Sequence, residues 1–176
     1  MSLLAEIVGQ LERGNIRCAL IGAEALSLRG MSRSTLDRDL LTTDPRSLDE
    51  DFWRPLLGLG VQYDVRLGDA EDPLAGVVRF SAEDQRPVDL IVGRHSWQTR
   101  VLERAEILHL GEVSLPVPRA ADLILLKLYA GGAQDAWDIA QLLAGEDLEP
   151  LIAEVEVRLD DLPADARLLW SRILTS

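Results

Sequence analysis

Leu20-Ile21-Gly22-Ala23-Glu24-Ala25, running on to Thr35-Leu36-Asp37-Arg38-Asp39-Leu40-Leu41, is the stretch whose reading decides the fold. An apolar, strand-like run ends in small residues. A short segment follows, and then two aspartates one residue apart open a second apolar run. In a strand, side chains at i and i+2 share a face, so Asp37 and Asp39 sit side by side on one surface. Carboxylates that close repel each other unless a cation stands between them. Hard oxygen ligands of this kind suit Mg²⁺, which is commonly held by one or two carboxylates plus substrate phosphates. Gly22-Ala23 lies at a strand-to-helix junction, where backbone can approach a ligand closely and a helix start favours an anion. The stretch thus offers a seat for metal beside a seat for phosphate.

Outward from it, the chain of 176 residues is long enough for one domain with an appended piece, and 47% hydrophobic with 27% charged is an ordinary globular composition. The single cysteine, Cys18, excludes a disulfide framework or a zinc cluster built within the chain. It reads as a small buried apolar residue of the first strand. No basic-then-apolar leader and no apolar run of about 18 residues is present, so the expected location is cytoplasmic, with no membrane partner. A net charge of −12 argues against broad, sequence-independent binding of nucleic acid. The acid is uneven: residues 135–176 hold ten Asp/Glu and three Arg, whereas signs nearly cancel over residues 1–44. A phosphate-binding surface is therefore expected in the N-terminal half.

Periodicity predicts a helix from Leu3 closed by Gly14, a strand at Arg17–Ile21, a short helix at Ala23–Leu28 and a second strand at Leu36–Thr42. Arg46–Leu57 reads as a helix, Val61–Leu67 as a half-buried strand, and Gly68–Gly76 as a loop. Val77–Phe80 and Val88–Val92 are strands, Ser96–Arg104 a helix, and residues 106–117 a hairpin around Gly111. After Pro118 the pattern is purely helical: Arg119–Ala130, Ala133–Leu143, Leu148–Leu159 and Ala164–Leu174. The expected fold class is α/β (α+β), a mixed sheet with flanking helices over residues 1–118 and a C-terminal helical bundle over residues 119–176, packed on the core.

Two further features stand out. Asp89 opens the otherwise apolar strand Val88-Asp89-Leu90-Ile91-Val92, and buried acids are rare unless paired or metal-bound. It is either a third metal ligand beside Asp37 and Asp39 or a salt-bridged acid near a strand end. Of the 18 basic residues only Lys127 is lysine, set in the apolar helix Leu123-Ile124-Leu125-Leu126-Lys127-Leu128. A lysine there either reaches a phosphate as a point charge or snorkels with its head in water. Asp135 and Asp138 follow at i, i+3 on one helical face, and Asp135 also suits the helix dipole. Neither His95 nor His109 belongs to a ligand-like cluster. The four tryptophans read as packing residues.

Gly22-Ala23, a spacer of thirteen residues, and Asp37-x-Asp39 resemble the nucleotidyltransferases related to DNA polymerase β. Gly30-Met31-Ser32-Arg33-Ser34-Thr35-Leu36-Asp37-Arg38-Asp39 is similar to the G-x-x-R-x-T-x-D-x-D form of small bacterial members, the AbiE-type and toxin–antitoxin enzymes. The resemblance covers roughly residues 15–145. It implies transfer of a nucleoside monophosphate from an NTP, ATP among them, to an RNA (a tRNA end), protein or small-molecule acceptor. Asp37, Asp39 and Asp89 would hold Mg²⁺ or Mn²⁺. Gly22, Ala23, Ser34 or Thr35 would cradle phosphates, and Lys127 with Asp138 would complete the nucleotide contacts, Lys127 neutralising triphosphate charge. A cognate toxin or antitoxin protein is an implied partner. Four residues depart from the pattern: Ala23 for a second Gly or Ser, Arg38 for an aliphatic residue, Glu24 as an added negative charge, and Gln134 for the basic residue expected before Asp135. Arg38 faces away from the carboxylates, so it is either solvated or paired with an acid. A non-catalytic nucleotide-binding or partner-binding protein of the same fold is the alternative.

Overall fold

The structure, a computed structural model, describes residues 2–31, 35–145 and 148–175. It divides into two compact units, Met1–Pro118 and Arg119–Ser176.

In the first unit, α1 (Leu3–Arg13) starts at Ser2, whose Oγ accepts the Ala5 N–H at 3.3 Å, and buries the stripe Leu3, Leu4, Ile7, Val8 and Leu11. Then come β1 (Ala19–Ile21), α2 (Gly22–Leu28), β2 (Arg38–Thr42), α3 (Glu50–Leu57), β3 (Gln62–Leu67), β4 (Leu74–Ser81), β5 (Val88–Gly93), α4 (Ser96–Arg104) and the hairpin β6 (Glu106–Leu110)–β7 (Val113–Val117). Five strands form a mixed sheet in the order β1-β2-β5-β4-β3. β2 and β5 run parallel, and every other neighbouring pair in this sheet is antiparallel.

Strand alternation gives the sheet two unlike faces. On one, Leu20, Leu40, Val78, Phe80, Val88, Leu90 and Val92 are fully buried. Trp53 of α3 packs edge-on against Phe80 with ring centroids 4.6 Å apart, and its indole N–H donates to the Ser47 carbonyl at 2.8 Å. Gln10 of α1 donates to the Phe52 carbonyl at 2.6 Å, which ties the two helices together. The other face carries Asp39, Arg79 and Asp89. Towards the far end of β2 this face is tied to α4 by the Thr43–Thr99 hydroxyl pair, 3.0 Å apart. Around the charged residues it is partly open to solvent.

Several elements differ from expectation: β2 starts only at Arg38, which leaves Asp37 outside the strand, and the helix expected over 148–159 ends at Glu156, with a 3₁₀ turn at Leu159–Asp161. The helix predicted over 46–57 is a 3₁₀ turn (Pro45–Leu48) followed by α3. Asp49 interrupts it, because its carboxylate accepts the Asp51 N–H at 2.9 Å and caps a new helix. β4 begins at Leu74, inside the expected loop, and its register with β5 shifts between Leu74 and Gly76. A Cβ on Gly76 would stand 2.7 Å from Leu48 Cδ2, so glycine is kept there for close packing, not for a turn.

The second unit is helical: α5 (Ala120–Ala130), α6 (Ala133–Leu143), α7 (Leu148–Glu156) and α8 (Ala164–Leu174). Gly131, at φ +69°, closes α5 in the left-handed region. Ile124, Leu125, Leu128, Ile139, Val155 and Trp170 are buried in it. No helix among the described residues is long and apolar enough to cross a membrane.

Candidate active site

The site is assembled by strand register. Asp39 is the direct neighbour of Asp89 across the parallel β2–β5 pair, and Arg79 is the direct neighbour of Asp89 across the antiparallel β4–β5 pair. Neighbours in register point to the same face, so all three side chains emerge together. Asp37, two residues before Asp39, joins them through Arg79. Its Oδ2 lies 3.5 Å from Arg79 Nη2, while Nη1 of the same guanidinium donates to Asp89 Oδ2 at 3.1 Å. The structure therefore brings Asp37, Asp39 and Asp89 to one face.

Gly22 makes room for Asp39. It follows β1 at φ +67°, and a Cβ there would overlap Asp39 Oδ2. Any other residue would displace the carboxylate and also carry backbone strain. Ala23 is buried, and α2, which starts at Gly22, has only seven residues. A phosphate at this junction would therefore depend on backbone N–H groups more than on a helix dipole. Thr35 Oγ1 donates to the Asp37 carbonyl at 3.0 Å, fixing the turn that leads into β2. Ser34 lies outside the described residues.

Asp89 carries the electrostatic tension of the site. Its Oδ1 is buried and has no hydrogen-bond partner, a costly arrangement for a carboxylate oxygen. Burial pushes the Asp89 carboxyl above its usual range; Arg79 pulls it down, the Asp37 charge pushes it up, and Arg66 pulls it down again. Carboxylate oxygens are hard donors of the type a divalent cation takes, and the orphaned oxygen is of that type. Among the described residues, however, no three His, Cys, Asp or Glu side chains gather closely enough to hold a metal. The expected convergence of the three carboxylates on a shared cation is incomplete, because Arg79 lies between Asp37 and Asp89. The sequence assigns Arg79 and Arg66 no role beyond membership of the strands at Val77–Phe80 and Val61–Leu67. The signal for their role was pairing partner, which a single strand pattern does not contain.

The departures at positions 24 and 38 prove to be one feature. Arg38 Nε contacts both oxygens of Glu24, at 3.3 and 3.0 Å, and Arg86 Nη1 contacts Glu24 Oε1 at 3.0 Å. The Glu24 carboxylate is largely enclosed and doubly paired. It is thus held by two cations beside α2 and not left as an uncompensated charge. Arg38 is paired, the second of the two alternatives open in the sequence.

In the second unit, Lys127 Nζ sits 2.8 Å from Asp135 Oδ1 and 2.7 Å from Asp138 Oδ2. Asp138 is fully buried and also lies 3.4 Å from Gln134 Nε2. Asp135 in addition accepts the Gly132 N–H at 3.1 Å, at the start of α6. The lysine head is therefore neither in water nor free: it ties α5 to α6.

An open groove of about 970 Å³, lined by Val8, Glu12, Arg17, Cys18, Leu102 and Glu103 among others, contains none of the candidate residues. The Cys18 thiol there is pushed up to about 12, chiefly by burial and then by Glu12, so it is no nucleophile near neutrality.

The mixed sheet and its flanking helices recur in solved structures. The antibiotic-resistance factor ANT(2'')-Ia, in complex with adenylyl-2''-tobramycin, superposes with TM-score 0.57 at 16% identity, covering 89% of this chain and 97% of that one. The fold is that of the nucleotidyltransferases. A solution structure of ANT(2'')-Ia gives TM-score 0.56 at 11% identity over 90% of each chain. A Thermotoga maritima protein assigned to the nucleotidyltransferases, TM1012, gives 0.56 at 17% identity over 81% of this chain and 91% of that one. No protein-family model matches the sequence, and no curated protein matches it. At these identities the nucleotidyltransferase likeness is one of fold.

Proposed function

We propose that the chain is a metal-dependent nucleotidyltransferase that moves a nucleoside monophosphate from an NTP to an acceptor hydroxyl. The observation that carries this is the register-fixed pair Asp39 and Asp89 on the open sheet face, with Asp37 joined to it through Arg79 and a buried Asp89 oxygen lacking a partner. In this reading those three aspartates hold Mg²⁺ or Mn²⁺, which when bound supplies charge stabilisation for the attacking and leaving oxygens. Gly22 keeps Asp39 in place, and the backbone at Gly22 and Ala23 faces the phosphates. Asp89 receives the acceptor proton. Lys127 and Asp138 are engaged with each other inside the second unit, and the proposal does not draw on them.

The acceptor is a cationic small molecule in this reading. A net charge of −12 repels RNA and attracts polycations, and the similar ANT(2'')-Ia is seen with an adenylylated tobramycin. A second reading, a non-catalytic nucleotide binder, draws on a specific observation: a protein cation, Arg79, already bridges two of the three acids. One experiment separates them. Protein, Mg²⁺ and each NTP labelled at the α-phosphate are incubated with aminoglycosides, with total RNA or with cell lysate. The expected result is label on a discrete acceptor from α-labelled but not γ-labelled NTP, since pyrophosphate leaves. Asp37→Asn with Asp39→Asn removes the charge and keeps the shape, and should lower the rate roughly 10²-fold or more. Binding of NTP without transfer to any acceptor would favour the second reading.

A further inference from the structure

We propose that β3 is a dimerisation edge: two copies of this chain pair β3 to β3, antiparallel, about a two-fold axis through Val65, and join their sheets into one. This holds whether or not the chain transfers nucleotides.

β3 ends the sheet order β1-β2-β5-β4-β3, so among the described residues it has a strand neighbour on one side only. The strand at the other end, β1, is three residues long and packs against β7. A long exposed edge invites pairing with another chain unless proline, a bulge or charge blocks it. β3 has six residues and no proline, pairs with β4 without a register shift, and its two charges, Asp64 and Arg66, cancel. Its backbone is aimed for pairing. Next to β3, the Gly68 N–H donates to the Ala75 carbonyl at 2.9 Å, on the β4 side. Hydrogen-bonding direction alternates along an antiparallel strand. Asp64 and Arg66 therefore bond to β4, and Tyr63, Val65 and Leu67 turn their N–H and C=O groups outward.

The side chains then select the partner. About a two-fold at Val65, the outward-turned residues meet one another: Val65 meets Val65 of the second copy, and Tyr63 meets Leu67 of the second copy. The same register sets Asp64 opposite Arg66 of the second copy, twice over. In the single chain these two form a pair at 2.7 Å with side chains 59% and 77% exposed, which costs little to rearrange. Sliding the strands by two residues would set Asp64 against Asp64 or Arg66 against Arg66, and like charges directly opposite destabilise a sheet. The other face is apolar. Tyr63, Val65 and Leu67 share the side that carries Phe80, yet Leu67 is 72% exposed. Pairing lays it against Tyr63 of the second copy. A chain of net charge −12 repels its own kind in general. Along β3 that repulsion is cancelled, and the order acid–Val–base is its own complement.

The test is sedimentation velocity of the full chain over about 1 μM to 1 mM. One edge strand is small beside a standard interface, so we expect a reversible rise in mass from 19.4 kDa towards twice that value. Val65→Pro removes the central N–H, which β4 does not use, and should abolish the rise. Asp64→Arg makes the charges of the strand all basic, and Arg66→Asp makes them all acidic. Each alone should self-associate ~10-fold more weakly or worse. Mixed in equal amounts, the two variants should pair as strongly as the wild type, because every facing charge is then opposite. Circular dichroism and thermal melting confirm the fold of each variant. Should Val65→Pro fail to fold, the mixing experiment decides alone. If the Asp64–Arg66 pair serves only its own chain, mixing recovers nothing, and the proposal is overturned. A wild type that stays monomeric throughout also overturns it, whether the edge is idle or takes a strand from another protein. A dimer indifferent to Val65→Pro and to both charge changes lies on another surface and overturns it as well.

Discussion

At the residue scale the site trades stability for a binding capacity. Burial pushes the Asp89 carboxyl above its ordinary range, and one of its oxygens is unpartnered. Its carboxyl in the fold lies above the ordinary value of 3.8. The folded state therefore holds the Asp89 proton more tightly than the unfolded chain. Any stability gained that way is present in acid and is lost as pH rises through the folded value. Asp89→Asn should accordingly melt at the same or a higher temperature than the wild type near neutrality. Its advantage should grow as pH rises from about 4 and then level off, while Mn²⁺ binding is lost. Melting curves at a series of pH values check this. A variant that is less stable at every pH would mean that the Arg79 pair outweighs the burial of Asp89. The Asp39–Gly22 contact has the same character, since glycine is retained where a side chain would occupy the place of the carboxylate.

At the element scale, the α5–α6 junction rests on one cation. Lys127→Met fits an apolar helix by volume but leaves Asp138 buried with its principal ion pair gone. Removing one partner of a buried pair destabilises by roughly 3 kcal/mol or more. Lys127→Met with Asp138→Leu should recover much of that loss, because an apolar pair replaces the ionic one. Urea denaturation of both variants measures it, and a silent single variant would show the pair to be worth little. The sequence announced this cluster without its geometry. A lone lysine among arginines and two acids at i, i+3 were visible, but their distance depends on how the Gly131–Gly132 turn folds α6 back. Most strands and helices were legible from periodicity and terminating glycines, including α4, α6, α8 and the β6–β7 hairpin. The failures were local competitions: Asp49 capping a new helix inside an apolar-periodic run, and Gly76 reading as loop when it is packed against Leu48. Of the site, the i, i+2 acids and Asp89 were legible as chemistry. Arg79 was not, because its meaning comes only from the cross-strand neighbour that β4 acquires.

At the scale of the whole molecule, charge selects what approaches. A net charge of −12 attracts cationic acceptors from a distance and repels the NTP, which must then rely on local cations. If the acceptor is cationic, its KM should rise several-fold between about 0.05 and 0.5 M salt, as the screening length shortens from more than ~10 Å to less than ~8 Å. kcat should change little, and the KM for NTP should not rise in parallel. Steady-state assays across a salt series distinguish this from an uncharged acceptor, whose KM would stay flat. The Glu24–Arg38–Arg86 cluster also constrains how the protein can change over generations. Its members come from α2, β2 and the turn before β5, and each is tolerable only in the company of the others. Losing Glu24 first strands Arg38 on the core-facing side of the sheet, and losing Arg38 first leaves an enclosed carboxylate with Arg86 of the turn before β5 as its remaining partner in the trio. These three positions must therefore be inherited or replaced together. Descendants of this chain should keep the whole trio or return to an aliphatic residue at 38 alongside an uncharged one at 24, which makes the trio a marker of lineage independent of the acids that do the chemistry.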